Sequence, residues 1–351
     1  MSRFFSNKYA ALTPYTPGEQ PRDQQYVKLN TNESPFPPSP GVLKAVKEQC
    51  GRLQLYSDPE STALRQKLAE VYGVKPSQVI VGNGSDEVLN FAFMAYGDAV
   101  AFPDISYGFY PVFAELNHVP YTQIPLKEDL SIDHKDYMGI GKTVVIANPN
   151  APTGLCLSLG QIEDILKSNP HNVVIIDEAY VDFGAESAVK LVDRYENLLV
   201  VQTFSKSRSM AGARLGFGIG NEQLIADLNT IRYSTNPYNV NRMTEFAGVA
   251  ALQESDYYLN NAKTITKNRS RTAQQLKSLG FSVTDSKANF LFAKSDRISG
   301  EMLYQKLKQR GVLVRHFKKP RISEYVRITV GTMEQMDILL RNIEAILEET
   351  T

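Results

Sequence analysis

Cysteine is nearly missing from this 351-residue chain, Cys50 and Cys156 being the only two. Two thiols cannot build a disulfide framework or a thiolate metal cage. An excess of either charge is missing too: 38 basic residues balance 38 acidic ones. No global field therefore favours nucleic acid or an anionic membrane, and a charged ligand must be met by a local site. Nowhere do about 20 apolar residues run together, as a membrane span requires. The opening MSRFFSNKYAALTPY lacks the apolar stretch of a signal segment. These absences lead us to expect a cytoplasmic protein that neither crosses membranes nor binds nucleic acid. His118, His134, His171 and His316 are scattered; they form no HExxH pair and support no Ser-His-Asp arrangement. Repeats, low-complexity tracts and like-charge blocks are also lacking.

The length suits about two domains with a large core. A polar, Pro-rich lead-in precedes the turn NTNESPFPPSPG at Asn30 to Gly41. After it come short apolar runs, QVIVG, DAVAFP, TVVIANP, NVVIIDEAY and NLLVVQTF, separated by helical lengths. Four to six apolar residues without alternation predict strands covered on both faces, hence an α/β domain whose mostly parallel sheet is sandwiched by helices. The stretch from Glu245 to Gly280 reads as one long helix leading out of that domain. Beyond it, FSVTDS, NFLFAK, EMLYQKLKQRG, VLVRHF, YVRITVG and MEQMDILLRNIEAILEE predict a smaller α+β domain. The expected boundaries are an arm over 1–40, a large domain over 41–250 and a small one over 251–351. A crevice between the two domains is the expected ligand site.

Chemistry concentrates at the ends of these runs. In VVIIDEAY, Asp177 closes a buried strand at the edge where such sheets bind ligands, with Tyr180 three residues on. A buried carboxylate needs a cation or several donors, so Asp177 implies a cationic partner; capping of the next element explains the same letter. The following strand runs into Ser205 and Lys206, and Arg214 follows in a Gly/Ala/Ser-rich stretch that lets backbone approach a ligand. In GNGSDE, Gly84, Ser85 and Asp86 open a helix, and free amides there suit an anion. The dinucleotide fingerprint fails because its third glycine falls on Glu87. A simple capped turn remains an equal explanation.

The strings YSDPE, GNGSDE, PNAPTG, DEAY, TFSKSRSMAGARLGFG, SKANF and YVRITVGT occur in this order. Together they resemble the pyridoxal-phosphate-dependent aminotransferases of fold type I, and among these the histidinol-phosphate aminotransferases, over nearly the whole chain. The resemblance implies pyridoxal 5'-phosphate as cofactor, held by Lys206 as a Schiff base. It implies that Lys206 also shuttles the substrate proton, that Asp177 keeps the pyridine nitrogen protonated and that Tyr180 bonds the ring oxygen. The cofactor phosphate falls to the amides of Ser85 and Asp86 after Gly84, to Ser205 and to Arg214. Tyr56 would reach that phosphate from the neighbouring subunit of a homodimer, which the arm over 1–40 also joins. Tyr107 would stack on the ring, with Tyr110 as the alternative. Where the family commonly has Asn before Pro-Thr-Gly this chain has Ala151, and Asn150 is the expected replacement.

For the substrate, the resemblance implies Arg327 as anion ligand, completed by Arg315 and Tyr15 into a set that suits a phosphate dianion. Asn32 is expected at the substrate, and Glu33 lies beside it near the site's mouth. The implied substrates are histidinol phosphate, glutamate and 2-oxoglutarate. Rivals are an aromatic amino-acid aminotransferase or a threonine-phosphate decarboxylase of the same fold and, from another class, a non-catalytic cofactor-binding sensor.

Overall fold

The structure, a computed structural model, describes residues 2–349. Its thirteen strands are β1 (Val27–Lys28), β2 (Val79–Gly82), β3 (Val100–Pro103), β4 (Tyr121–Ile124), β5 (Thr143–Ala147), β6 (Val174–Asp177), β7 (Leu198–Thr203), β8 (Gly216–Gly220), β9 (Phe281–Val283), β10 (Phe290–Ser295), β11 (Val312–Leu313), β12 (Arg315–His316) and β13 (Tyr325–Thr329). Seven form one sheet in the order β2-β8-β7-β6-β5-β3-β4. Neighbours are parallel except around β8, which runs antiparallel to both β2 and β7.

Successive residues of the central strands alternate between two cores, as pleating demands. Val144, Ile146, Val174, Ile176, Leu198 and Val200 join one hydrophobic cluster, whereas Val145, Ala147, Ile175, Leu199 and Val201 join the other. Burial of both faces is why each run is continuously apolar rather than alternating.

Two strands of the large sheet lay outside the sequence expectation. β4 is a half-exposed edge with the pattern Tyr-Thr-Gln-Ile and lacks an apolar run. β8 reads Gly-Phe-Gly-Ile-Gly because a helix packs directly upon it: a Cβ at Gly216 would stand 2.1 Å from the Ser85 amide nitrogen. The single helix expected over 245–280 is instead two, Arg242–Gln253 and Ser255–Ser278. Glu254 interrupts them with non-helical ψ of 37°, and its carboxylate accepts from the Gly41 amide in the first turn of the helix Pro40–Gln49. A cap for another helix has thus overridden helical periodicity.

The smaller sheet is antiparallel, in the order β12-β13-β10-β9. One face packs Leu291, Ala293, Val326 and Ile328 against Met336, Leu339 and Ile343 of the amphipathic helix Met333–Glu348. From the other face, Phe292 meets Ile105 and Leu126 of the loops around the large sheet, while Phe290 meets Ala151. β1 pairs in parallel with β11, so the N-terminal arm enters the smaller sheet's side of the molecule before crossing the cleft. Among the described residues no helix is long and apolar enough to cross a membrane.

Candidate active site

The parallel strands end at a cleft. Asp177, the last residue of β6, pairs in register with Ala147 and Val201, so its side chain stands at the carboxyl edge of the sheet. It is 4 % exposed. Tyr110 donates to its Oδ2 at 2.8 Å and the Ala179 amide to its Oδ1 at 3.2 Å. Two donors leave further lone pairs of an ionised carboxylate unused. Burial pushes the Asp177 carboxyl up to about 6 despite these bonds and despite the nearby charge of Lys206.

Lys206 follows β7 and lines the same cavity, of about 410 Å³. Its Nζ lies 3.4 Å from the Thr31 carbonyl and 5.8 Å from the Tyr180 ring centroid. Tyr180 accepts a 2.9 Å bond from Asn32 Nδ2, which leaves its own hydroxyl proton free to donate.

At the other end of this cavity the helix Ser85–Tyr96 begins without a side-chain cap, so its first amides have no intrahelical acceptor. Gly84 has a φ of +83°, and a Cβ there would stand 2.6 Å from Arg214 Nη2; only glycine lets the guanidinium come so near. Arg214 itself adopts left-handed backbone, φ +53°, which costs a non-glycine residue about 1–3 kcal/mol and marks a functional constraint. Asp86 joins two walls, taking Arg214 Nη2 at 3.1 Å and the Tyr107 hydroxyl at 2.8 Å. Burial, with Asp86 alongside, raises the Tyr107 phenol far above its ordinary range. Ser205 completes this end, its Oγ 3.0 Å from Thr203 Oγ1.

A second cavity of about 280 Å³ adjoins the first, sharing Thr31, Tyr107, Ala151, Tyr180 and Lys206. Arg315, Arg327 and Tyr15 line it. Arg327 Nη2 donates to the Asn30 carbonyl at 3.0 Å, but its Nε is buried without a partner. Burial lowers this guanidinium from its usual range, whereas burial raises the Tyr15 phenol, opposed by Arg315 and Arg327. Ion pairs elsewhere occupy other arginines; neither Arg315 nor Arg327 has a carboxylate partner among the described residues.

One side chain departs from the expected placement, and two others are held in ways the sequence did not show. Asn150 does not line either cavity: its Nδ2 donates to the Ile105 carbonyl and Thr153 Oγ1, and its Oδ1 accepts from Ser106 at 2.7 Å. The cavity wall at that turn is Ala151, which offers no polar side chain. Asn32 lines the second cavity as expected, and its side chain also braces the Tyr180 phenol, donating to its oxygen while accepting from Thr329 Oγ1. Tyr56, expected to serve a neighbouring subunit, is 78 % exposed, stacked on Tyr238 at 4.5 Å, and lines neither cavity of its own chain. Of the two candidate ring-stacking tyrosines, Tyr107 lines the cavities, while fully buried Tyr110 lies behind Asp177. The Tyr110 bond was legible only as a tyrosine three residues from Tyr107.

Uncapped helix amides, Arg214, Ser205, a buried acid and an amine gathered around one cavity fit a planar, phosphorylated pyridine aldehyde. Small side chains, Ala147, Ala151 and Ala179, leave room for its ring.

The aminotransferase class I and II family model matches residues 24–343. The chain is 50% identical to the histidinol-phosphate aminotransferase of Brachyspira hyodysenteriae, over 99% of this chain and 100% of that protein. Among solved structures, that of the histidinol-phosphate aminotransferase from Clostridium acetobutylicum superposes with a TM-score of 0.85 at 25% identity, covering 92% of this chain and 99% of that one. The Sinorhizobium meliloti histidinol-phosphate aminotransferase, solved in complex with pyridoxal-5'-phosphate, shares the fold with a TM-score of 0.86 at 22% identity and 93% coverage of each chain.

The Asp177 carboxyl gives a pH test on the cofactor-free protein. A folded value of about 6, above the ordinary 3.8, means its contribution to stability is complete below about pH 4, is lost as pH rises to about 6, and stays lost above. Asp177→Asn removes that penalty. Urea unfolding should find the cofactor-free variant more stable than wild type by on the order of 2–3 kcal/mol at pH 8, with the gap closing near pH 4; a gap independent of pH would contradict the assignment.

Proposed function

Because the chain belongs to the aminotransferase class I and II family, we propose that it moves an amino group from glutamate to imidazole-acetol phosphate. The products are histidinol phosphate and 2-oxoglutarate, and the pathway is histidine biosynthesis, in line with the relative from Brachyspira hyodysenteriae. One observation carries the substrate: two guanidiniums, Arg315 and Arg327, share a cavity beside Lys206 with no carboxylate paired to them among the described residues and with Arg327 Nε unpartnered. Two guanidiniums and the Tyr15 hydroxyl match a phosphate dianion better than a lone carboxylate.

Pyridoxal 5'-phosphate, when bound, supplies an aldehyde that takes up the amino group and a protonated ring that draws electron density from the substrate carbon. The chain's own residues do the rest. The amides of Ser85 and Asp86, Ser205 and Arg214 hold the cofactor phosphate. The Asp177 carboxylate keeps the ring nitrogen protonated, because an ion pair there relieves the burial of both charges. Tyr180, oriented by Asn32, donates to the ring oxygen, and Tyr107 covers the ring face. Lys206 Nζ bonds the cofactor between turnovers and removes and returns the proton at the amine-bearing carbon of the substrate. The arm over 1–40 and Tyr56 serve a homodimer in which the exposed phenol enters the partner's site; the larger unit over 41–250 binds the cofactor and the smaller over 251–351 closes the cleft. The cytoplasm is the inferred location.

Lys206→Ala should abolish the pH-sensitive visible absorption of the cofactor-loaded protein; a band that survives unchanged would remove this amine from the chemistry. In single half-reactions, histidinol phosphate should convert the bound cofactor to its amine form. Conversion by phenylalanine alone, or carbon dioxide release from phosphothreonine, would overturn the substrate assignment. Co-expressed Tyr56→Ala and Lys206→Ala chains, each inactive alone, should form hybrids with one intact site and so recover up to about half the wild-type activity per dimer, which strictly independent subunits could not do.

A further inference from the structure

The second cavity contains a pairing that folding by itself disfavours. Arg315 on β12 lies directly across from Arg327 on β13, and like charges directly opposite in an antiparallel pair destabilise it. Glu19, whose carboxylate senses Arg315, is already bonded to Lys308 and Tyr304. What meets both guanidiniums is Phe317: its ring centroid lies 5.8 Å from Arg315 Cζ and 5.7 Å from Arg327 Cζ. Phe317 follows β12 two residues after Arg315, lines the same cavity and is itself set edge-on against Phe292 at 6.1 Å.

An aromatic face attracts cations through its quadrupole but carries no net charge. A carboxylate in its place would relieve the repulsion more strongly, yet it would neutralise the pair and repel an incoming dianion. The ring does the first without the second. We propose that Phe317 is a specificity-determining residue: it holds Arg315 and Arg327 side by side without neutralising them, and so prepares a site selective for a phosphorylated substrate over one that offers only a carboxylate. This rests on the assignment of the second cavity to substrate, and it concerns discrimination, not the chemical step; Phe317 acts through the two arginines as a positioning residue.

The test uses cofactor-loaded enzyme carrying Phe317→Leu, Phe317→Met or Phe317→Tyr. Leu and Met keep apolar bulk and lose the ring, while Tyr retains it, so the comparison separates the quadrupole from packing. Leu and Met should raise the KM for histidinol phosphate by about 3- to 30-fold, and by a clearly larger factor than the KM for glutamate. Calorimetric titration with inorganic phosphate should show a matching loss of affinity, and Tyr should restore most of both. Equal factors for the two substrates, unchanged phosphate affinity in Leu and Met, or a Tyr variant as impaired as Leu would each overturn the proposal. A wild-type enzyme that ignores histidinol phosphate altogether would overturn the underlying functional reading too, which marks that failure off from the others.

Discussion

A carboxylate shut away from water at the end of a parallel strand governs this molecule. Asp177 has two protein donors and no adjacent guanidinium, and burial leaves it far less acidic than a free side chain. Such a group is a liability to the fold taken alone. The proposed heterocyclic cation against it would turn that liability into an asset, and the sheet gathers the other proposed cofactor ligands beside it. β6 delivers the acid, β7 delivers Lys206, and the turn after β2 delivers the helix start that receives an anion, all at one edge.

The two cavities are complementary in their charge deficits. The first has an acid lacking a full set of partners at one end and an arginine with free amides at the other. The second has two arginines lacking acids. Nearby acids do not cancel these deficits here, because Asp86, Glu33 and Glu19 are committed to Arg214, Lys28 and Lys308. The proposed cofactor in the first cavity and a doubly charged substrate in the second would cancel them.

Much of this was readable from the letters because burial on both faces writes itself into sequence. Every continuous apolar run became a strand of the large sheet, and the polar residues that end those runs, Asp177 and Lys206, fell at its carboxyl edge. The failures have a common physical cause in tertiary partners. β8 is hidden because contact with the helix start replaced its β-branched residues by glycine. Glu254 breaks a periodic helix to cap a distant one. Asn150 has the right residue type at nearly the right place, but the turn aims its amide at Ile105 and Ser106. The roles of Tyr110 and Phe317 depend on which ring faces which charge, and spacing along a chain does not encode that.

The stretch Asn30-Thr31-Asn32 leaves β1 and crosses the cleft in three steps. The backbone carbonyl of Asn30 accepts from Arg327, that of Thr31 accepts from Lys206, and the side-chain Nδ2 of Asn32, a residue in left-handed backbone, donates to the Tyr180 hydroxyl. Arg327, Lys206 and Tyr180 therefore hang on one short peptide that belongs to none of the large hydrophobic clusters. A shortened chain beginning after residue 32 would lose β1, buried Leu29 and the three bonds that buckle these groups to one peptide. The amino-terminal strand is thus no dispensable leader, and its integrity decides whether two stable halves make one catalyst.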